Sequence, residues 1–135
     1  MNHVATKQEE DTISVSIEKF DDLIDLKVPT LVKIDVEGFE TEVFNGMSAF
    51  LANPNLKAII VELNGSGKRY GYCEDKIHSK LTVAGFTTYL YHPFERKLEE
   101  VTKFGSHNTI YIKDFSFVNS RVENAQKIKI NKKEF

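Results

Sequence analysis

Three carboxylates fall within six residues of the stretch "LVKIDVEGFETEVFNG", Leu31 to Gly46: Asp35, Glu37 and Glu40. A run of branched apolar residues ends there, and Gly38 separates it from a stretch in which Val43, Phe44, Met47, Phe50 and Leu51 recur at helical spacing. Successive strand side chains point to opposite faces, so Lys33, Asp35 and Glu37 share one face, opposite Val32, Ile34 and Val36. A second apolar run, "KAIIVELN", ends on Glu62 and Asn64, which share a face by the same rule. If the two runs are parallel neighbours, Asp35, Glu37, Glu62 and Asn64 gather at one rim of the sheet, where open α/β folds bind ligands. Glu40 is assigned to the helix amino terminus, where the helix dipole favours negative charge. Asp35, expected inside the strand, must be neutralised by Lys33 or by a ligand.

Such acids suit several chemistries. Carboxylates with an amide oxygen fit a hard cation such as Mg²⁺, but the fixed ligand spacing of a metal loop is missing, and no metal is expected. A phosphoryl-transfer aspartate motif would want a second Asp where "DVEGF" has Glu37. Paired glycosidase acids usually sit on barrels of about 250 residues, longer than this chain. The loop "NGSGKRYGY" has Tyr70 where the dinucleotide fingerprint requires its third glycine, and Arg69 after Lys68 spoils a phosphate loop. It is read as a mobile loop over the rim, with Lys68, Arg69 or Tyr70 touching a substrate. His3 and His78 are expected to face solvent, while His92 and His107 lie where they could reach the rim.

The elements that position these residues read as follows. "TISVSI", Thr12 to Ile17, alternates like a strand, and Ser16 caps a helix through "IEKFDDLI". Leu31–Val36, the helix after Gly38 and Lys57–Asn64 form a β-α-β unit. "CEDKIHSKLTVAGF" places Ile77, Leu81 and Ala84 on one helix face and ends on Gly85. "TTYLYH" and "KLEEV" are strands, and "NTIYIKD" is the last strand, antiparallel to the others. Residues 1–11 and the polar tail 116–135 are expected to fray, leaving one domain over 12–115.

With 135 residues, 41% hydrophobic and 28% charged, the chain can bury one core. Its net charge of −2 offers no basic field for a nucleic acid, and no apolar run reads as a signal peptide or membrane span. Cys73, the only cysteine, is expected to be a reduced, buried or half-buried thiol, which points to the cytoplasm.

"LVKIDVEGFETEVFNG", followed by "IIVELN" and then by a helix leading into "GFTTYLY", resembles the FkbM-type methyltransferases, as does the upstream "SVSIEKFDDLI". Lys33-Ile34-Asp35-Val36-Glu37-Gly38, Glu40, Gly46 and Glu62 fall in register with that family, and the likeness runs from about Ile13 to Ile112. The resemblance implies a Rossmann-like methyltransferase fold binding S-adenosylmethionine and O-methylating a hydroxyl on a sugar or other small acceptor. It gives Asp35 the catalytic and cofactor-contacting role, Glu37 a supporting catalytic one, and Glu62 and Asn64 the acceptor side, to which the loop reading adds Lys68 and Tyr70. The family's opening strand, glycine-rich turn and ribose-binding acid have no counterpart here, so the chain is expected to be the carboxyl-terminal portion of the domain, lacking the cofactor-binding half. The alternative is a noncatalytic shortened homologue that binds a partner or forms a homo-oligomer through its exposed sheet edge.

Overall fold

The computed structural model describes Ala5 and residues 12–23, 27–105, 107–130 and 133–134. The second half of the chain follows its periodicity closely. Strand β1 is Leu31–Ile34, helices α1 and α2 are Glu40–Asn45 and Ser48–Ala52, and strand β2 is Ala58–Glu62. Helix α3 (Glu74–Val83) leads to β3 (Thr87–His92), β4 (Lys97–Glu100), β5 (Asn108–Ile112) and helix α4 (Phe115–Asn124). Short strands β6 (Lys129–Ile130) and β7 (Lys133–Glu134) pair antiparallel with each other.

The main sheet has the order β1-β2-β5-β3-β4. β1 and β2 are parallel, as the β-α-β reading requires, with Ile34 opposite Val61. β5 runs antiparallel and inserts between β2 and β3, while β4 returns antiparallel on the far side of β3. Both faces are covered. On one, Ile34, Ile59, Val61 and Tyr111 meet Phe44, Met47, Phe50 and Leu51 from the α1–α2 segment and Ile77 and Leu81 from α3. On the other, Ala58, Leu98 and Ile112 pack with Tyr89 and Ile110 under Val118 and Val122 of α4.

Four expectations are corrected. Residues 12–17 form no strand; Ile13, Val15 and Ile17 are exposed, and no strand among the described residues takes up their backbone groups. The helix expected after Ser16 is a single 3-10 turn, Phe20–Asp22, and the last position of the expected helix, 24, lies outside the described residues. The helix after Gly38 is broken at Gly46 and Met47. The start of the polar tail is helical: the Asp114 carboxylate caps α4 by accepting the Phe117 N–H at 3.1 Å and binds Lys57 Nζ at 2.9 Å.

Candidate functional site: a carboxylate rim

β1 ends at Ile34, so Asp35 lies just past the strand, exposed rather than inside it. Its partner is Lys33, two residues back on the same face, whose Nζ donates to Asp35 Oδ2 at 2.6 Å. The lysine therefore supplies the neutralisation demanded by the sequence pattern. The next two residues turn sharply: Glu37 has φ 54° and Gly38 has φ 101°. A left-handed conformation is unremarkable for glycine, but it costs a glutamate free energy that its surroundings must offset. Gly38 also has no room for a side chain. A Cβ there would lie 2.7 Å from the Ser66 backbone carbonyl, so the turn after β1 packs backbone to backbone on the loop after β2.

Glu40, the first residue of α1, is the one carboxylate buried among the described residues. Its Oε1 accepts the amides of Val36 at 3.3 Å and Gly38 at 3.0 Å, on either side of Glu37. Its place at the helix start agrees with the sequence reading, but its hydrogen bonds go to the preceding turn.

From this turn and from the end of β2, carboxylate oxygens of Asp35, Glu37 and Glu62 come within 4.8 Å of one another. The hydrogen bond and charge of Lys33 hold the Asp35 carboxyl below its ordinary range. Desolvation, followed by the hydrogen bond and charge of Asp35 and the charge of Glu37, pushes Glu62 above its own. The two carboxyls are thus displaced in opposite directions by their mutual contact and by Lys33. Three converging oxygens are also near enough for one hard cation to touch them all, with Lys33 already supplying a countercharge. Beside the rim, a cavity of about 280 Å³ is lined by Lys33 and Asp35 and by the apolar Phe20, Val32, Ile34, Val36, Val43 and Met47.

The other candidates sit elsewhere. Asn64 lies beyond β2 and turns its Oδ1 back to the Ser66 amide at 2.9 Å, forming a local loop bond. The loop read as mobile contains a 3-10 turn, Ser66–Tyr70. Tyr70 packs on Phe39 and Tyr72, with ring centroids 5.7 and 6.1 Å apart, while Lys68 lines a separate cavity with Tyr72, Cys73 and Glu74. The Arg69 Nε–H donates to the Ser66 carbonyl. His78 does not face solvent freely: it stacks on Phe104 and its Nδ1 lies 3.0 Å from the Tyr111 hydroxyl. His92 pairs with Glu99 on the β3–β4 hairpin. His107 is exposed, and its carbonyl accepts the Leu63 amide. Cys73 is exposed, its Sγ 3.2 Å from Asp75 Oδ2, because the start of α3 leaves it at the surface. The residue that periodicity could not single out is Glu40, whose burial follows from the turn it closes.

The family model described as "Methyltransferase FkbM domain" matches residues 2–101. No curated protein and no solved structure matches the chain. Among the described residues no helix is long and apolar enough to cross a membrane.

Proposed function

The chain belongs to the FkbM methyltransferase family, and from that premise we propose that its carboxylate rim is a methyl-transfer site, taking S-adenosylmethionine as donor and the hydroxyl of a sugar or other small molecule as acceptor. The observation that carries this reading is the convergence of Asp35, Glu37 and Glu62 where two parallel strands end. The donor set suits the cofactor. Three carboxylates beside one lysine present net negative charge to a sulfonium and an α-ammonium group, and the apolar cavity alongside them suits an uncharged portion of the molecule. When bound, S-adenosylmethionine supplies an electrophilic methyl group for in-line displacement.

The chain's own residues then have two tasks, to hold the acceptor oxygen in line and to accept its proton. Asp35, kept anionic by Lys33, is placed to hold the positive charge of the donor. Glu62, with its raised pKa, is the better proton acceptor of the pair. Glu37 lies between the two roles and orients the acceptor. Lys68 and Tyr70 are assigned to the acceptor's outer parts. The remaining cofactor contacts are assigned to strands added along the outer edge of β1, which pairs only with β2 among the described residues. That same edge supports the second reading, a noncatalytic module that associates through it.

Calorimetric titration with S-adenosylmethionine, together with a methyl-transfer assay in the longest protein containing this chain, tests the first reading. Binding is expected there, with Asp35→Asn depressing turnover strongly. Unchanged turnover in that variant would remove Asp35 from the mechanism.

A further inference from the structure

We propose that Glu40 is the positioning residue of the rim: its buried carboxylate, bonded to the amides on both sides of Glu37, keeps the oxygens of Asp35, Glu37 and Glu62 converged. The catalytic meaning of this role rests on the methyl-transfer reading above. The physical reasoning begins with repulsion. Three carboxylates whose oxygens lie within 4.8 Å repel one another, and one lysine offsets only part of that. The easiest relief is for Glu37 to leave its left-handed conformation, φ 54°, for the negative φ that glutamate ordinarily adopts, which would swing its side chain away.

What opposes this is Glu40. Its Oε1 accepts the Val36 and Gly38 amides together, and relaxing Glu37 would pull those two N–H groups apart. Glu40 is 4% exposed, so losing either bond would leave a buried carboxylate short of partners, which is far costlier than losing a bond in water. A role confined to the helix terminus does not account for this geometry. The first-turn amides of Glu42 and Val43 are taken by the Phe39 carbonyl, whereas the Glu40 oxygen bonds backward into the turn. Gly38 carries the restraint across to the other half of the rim. It sits so closely on the Ser66 carbonyl that the turn pinned by Glu40 and the loop following Glu62 share one fixed contact.

The test compares wild type, Glu40→Ala, Glu40→Asp and Glu40→Gln by NMR, following amide exchange at Val36 and Gly38 and the titration of the Glu62 carboxyl. In Glu40→Ala the two amides are expected to exchange about tenfold faster or more, and Glu62 to titrate closer to its ordinary 4.5 as the rim opens. Glu40→Gln retains an acceptor oxygen of the same reach and should keep most of the Glu62 upshift. Signals from the His78–Tyr111 contact report whether the fold is intact. If Glu40→Ala fails to fold, Glu40→Asp, which withdraws the oxygen by one methylene, takes its place. A folded variant with the oxygen removed or withdrawn and the Glu62 titration unchanged would overturn the proposal. These readings need neither cofactor nor acceptor, so a failure of methyl transfer with the Glu62 titration still moved would count against the functional reading alone.

Discussion

Asp35 and Glu62 are neighbouring carboxyls displaced in opposite directions, Asp35 downward by Lys33 and Glu62 upward by desolvation and by Asp35 itself. For stability the signs are also opposite. The Asp35 contribution is present above its ordinary 3.8 and is lost as pH falls through its lower folded value. The Glu62 contribution is present below 4.5 and is lost as pH rises through its higher folded value. If Glu62 accepts the acceptor's proton, it must be ionised, so the rate should rise with pH through a midpoint above 4.5. Glu62→Gln should lower turnover by roughly 10²- to 10⁴-fold and abolish that acid limb. A pH–rate profile that keeps the same limb in the variant would assign the proton to another group. The meeting of these acids was legible in the sequence because parallel register brings the ends of β1 and β2 to one rim, although Asp35 and Glu37 lie past the strand where alternation no longer applies. Their ranking was not. The resemblance gives Asp35 the catalytic role, while the direction of each pKa shift depends on contacts among Lys33, Asp35 and Glu62 that alternation leaves undefined.

Among the elements, the divided helix shows how a correct periodicity can hide a break. Phe44, Met47, Phe50 and Leu51 all reach the core, so the apolar face is continuous although the backbone is not. The cause lies 25 residues upstream of Gly46, at Asp21, by direct subtraction of the two positions in the numbering. The Asp21 amide bonds the Gly46 carbonyl at 2.9 Å, and its carboxylate accepts the amides of Ala49 at 2.9 Å and Phe50 at 3.1 Å. The upstream turn thus supplies α2 with the cap that Met47 cannot, and Phe20 packs edge-on against Phe50 at 4.4 Å. No local pattern encodes a cap delivered from so far away. Asp21→Ala should therefore cost about 0.5–2 kcal/mol, the range for losing a helix cap, read as a lower urea midpoint with an unchanged slope. An unchanged midpoint would mean that the cap contributes nothing net. By contrast the core face and end of α3 were readable, since Ile77 and Leu81 are buried and Gly85 follows with φ 89°, all from local spacing and a local terminator.

At the scale of the molecule, the sheet is covered on both faces, and among the described residues β1 and β4 are its two edge strands. The mixed α/β class followed from strand and helix periods, but the insertion of β5 between β2 and β3 did not, because alternation says which face a side chain takes and not which strand lies beside it. Among the described residues β1 pairs on one side only, with β2. Leu31 on β1 is 53% exposed, and the alternating Ile13, Val15 and Ile17 nearer the amino terminus are exposed without joining the sheet. An edge of this kind offers a row of unpaired amides and carbonyls to any extended segment that reaches it. The isolated chain should therefore associate as its concentration rises, giving a sedimentation coefficient that climbs across a dilution series. Leu31→Lys puts a charge on the edge without touching the buried face of β1 and should return the coefficient toward that of a monomer. Strands supplied in a longer protein should do the same by occupying the edge, whereas a concentration-independent monomer in the unaltered chain would show that β1 pairs with nothing further.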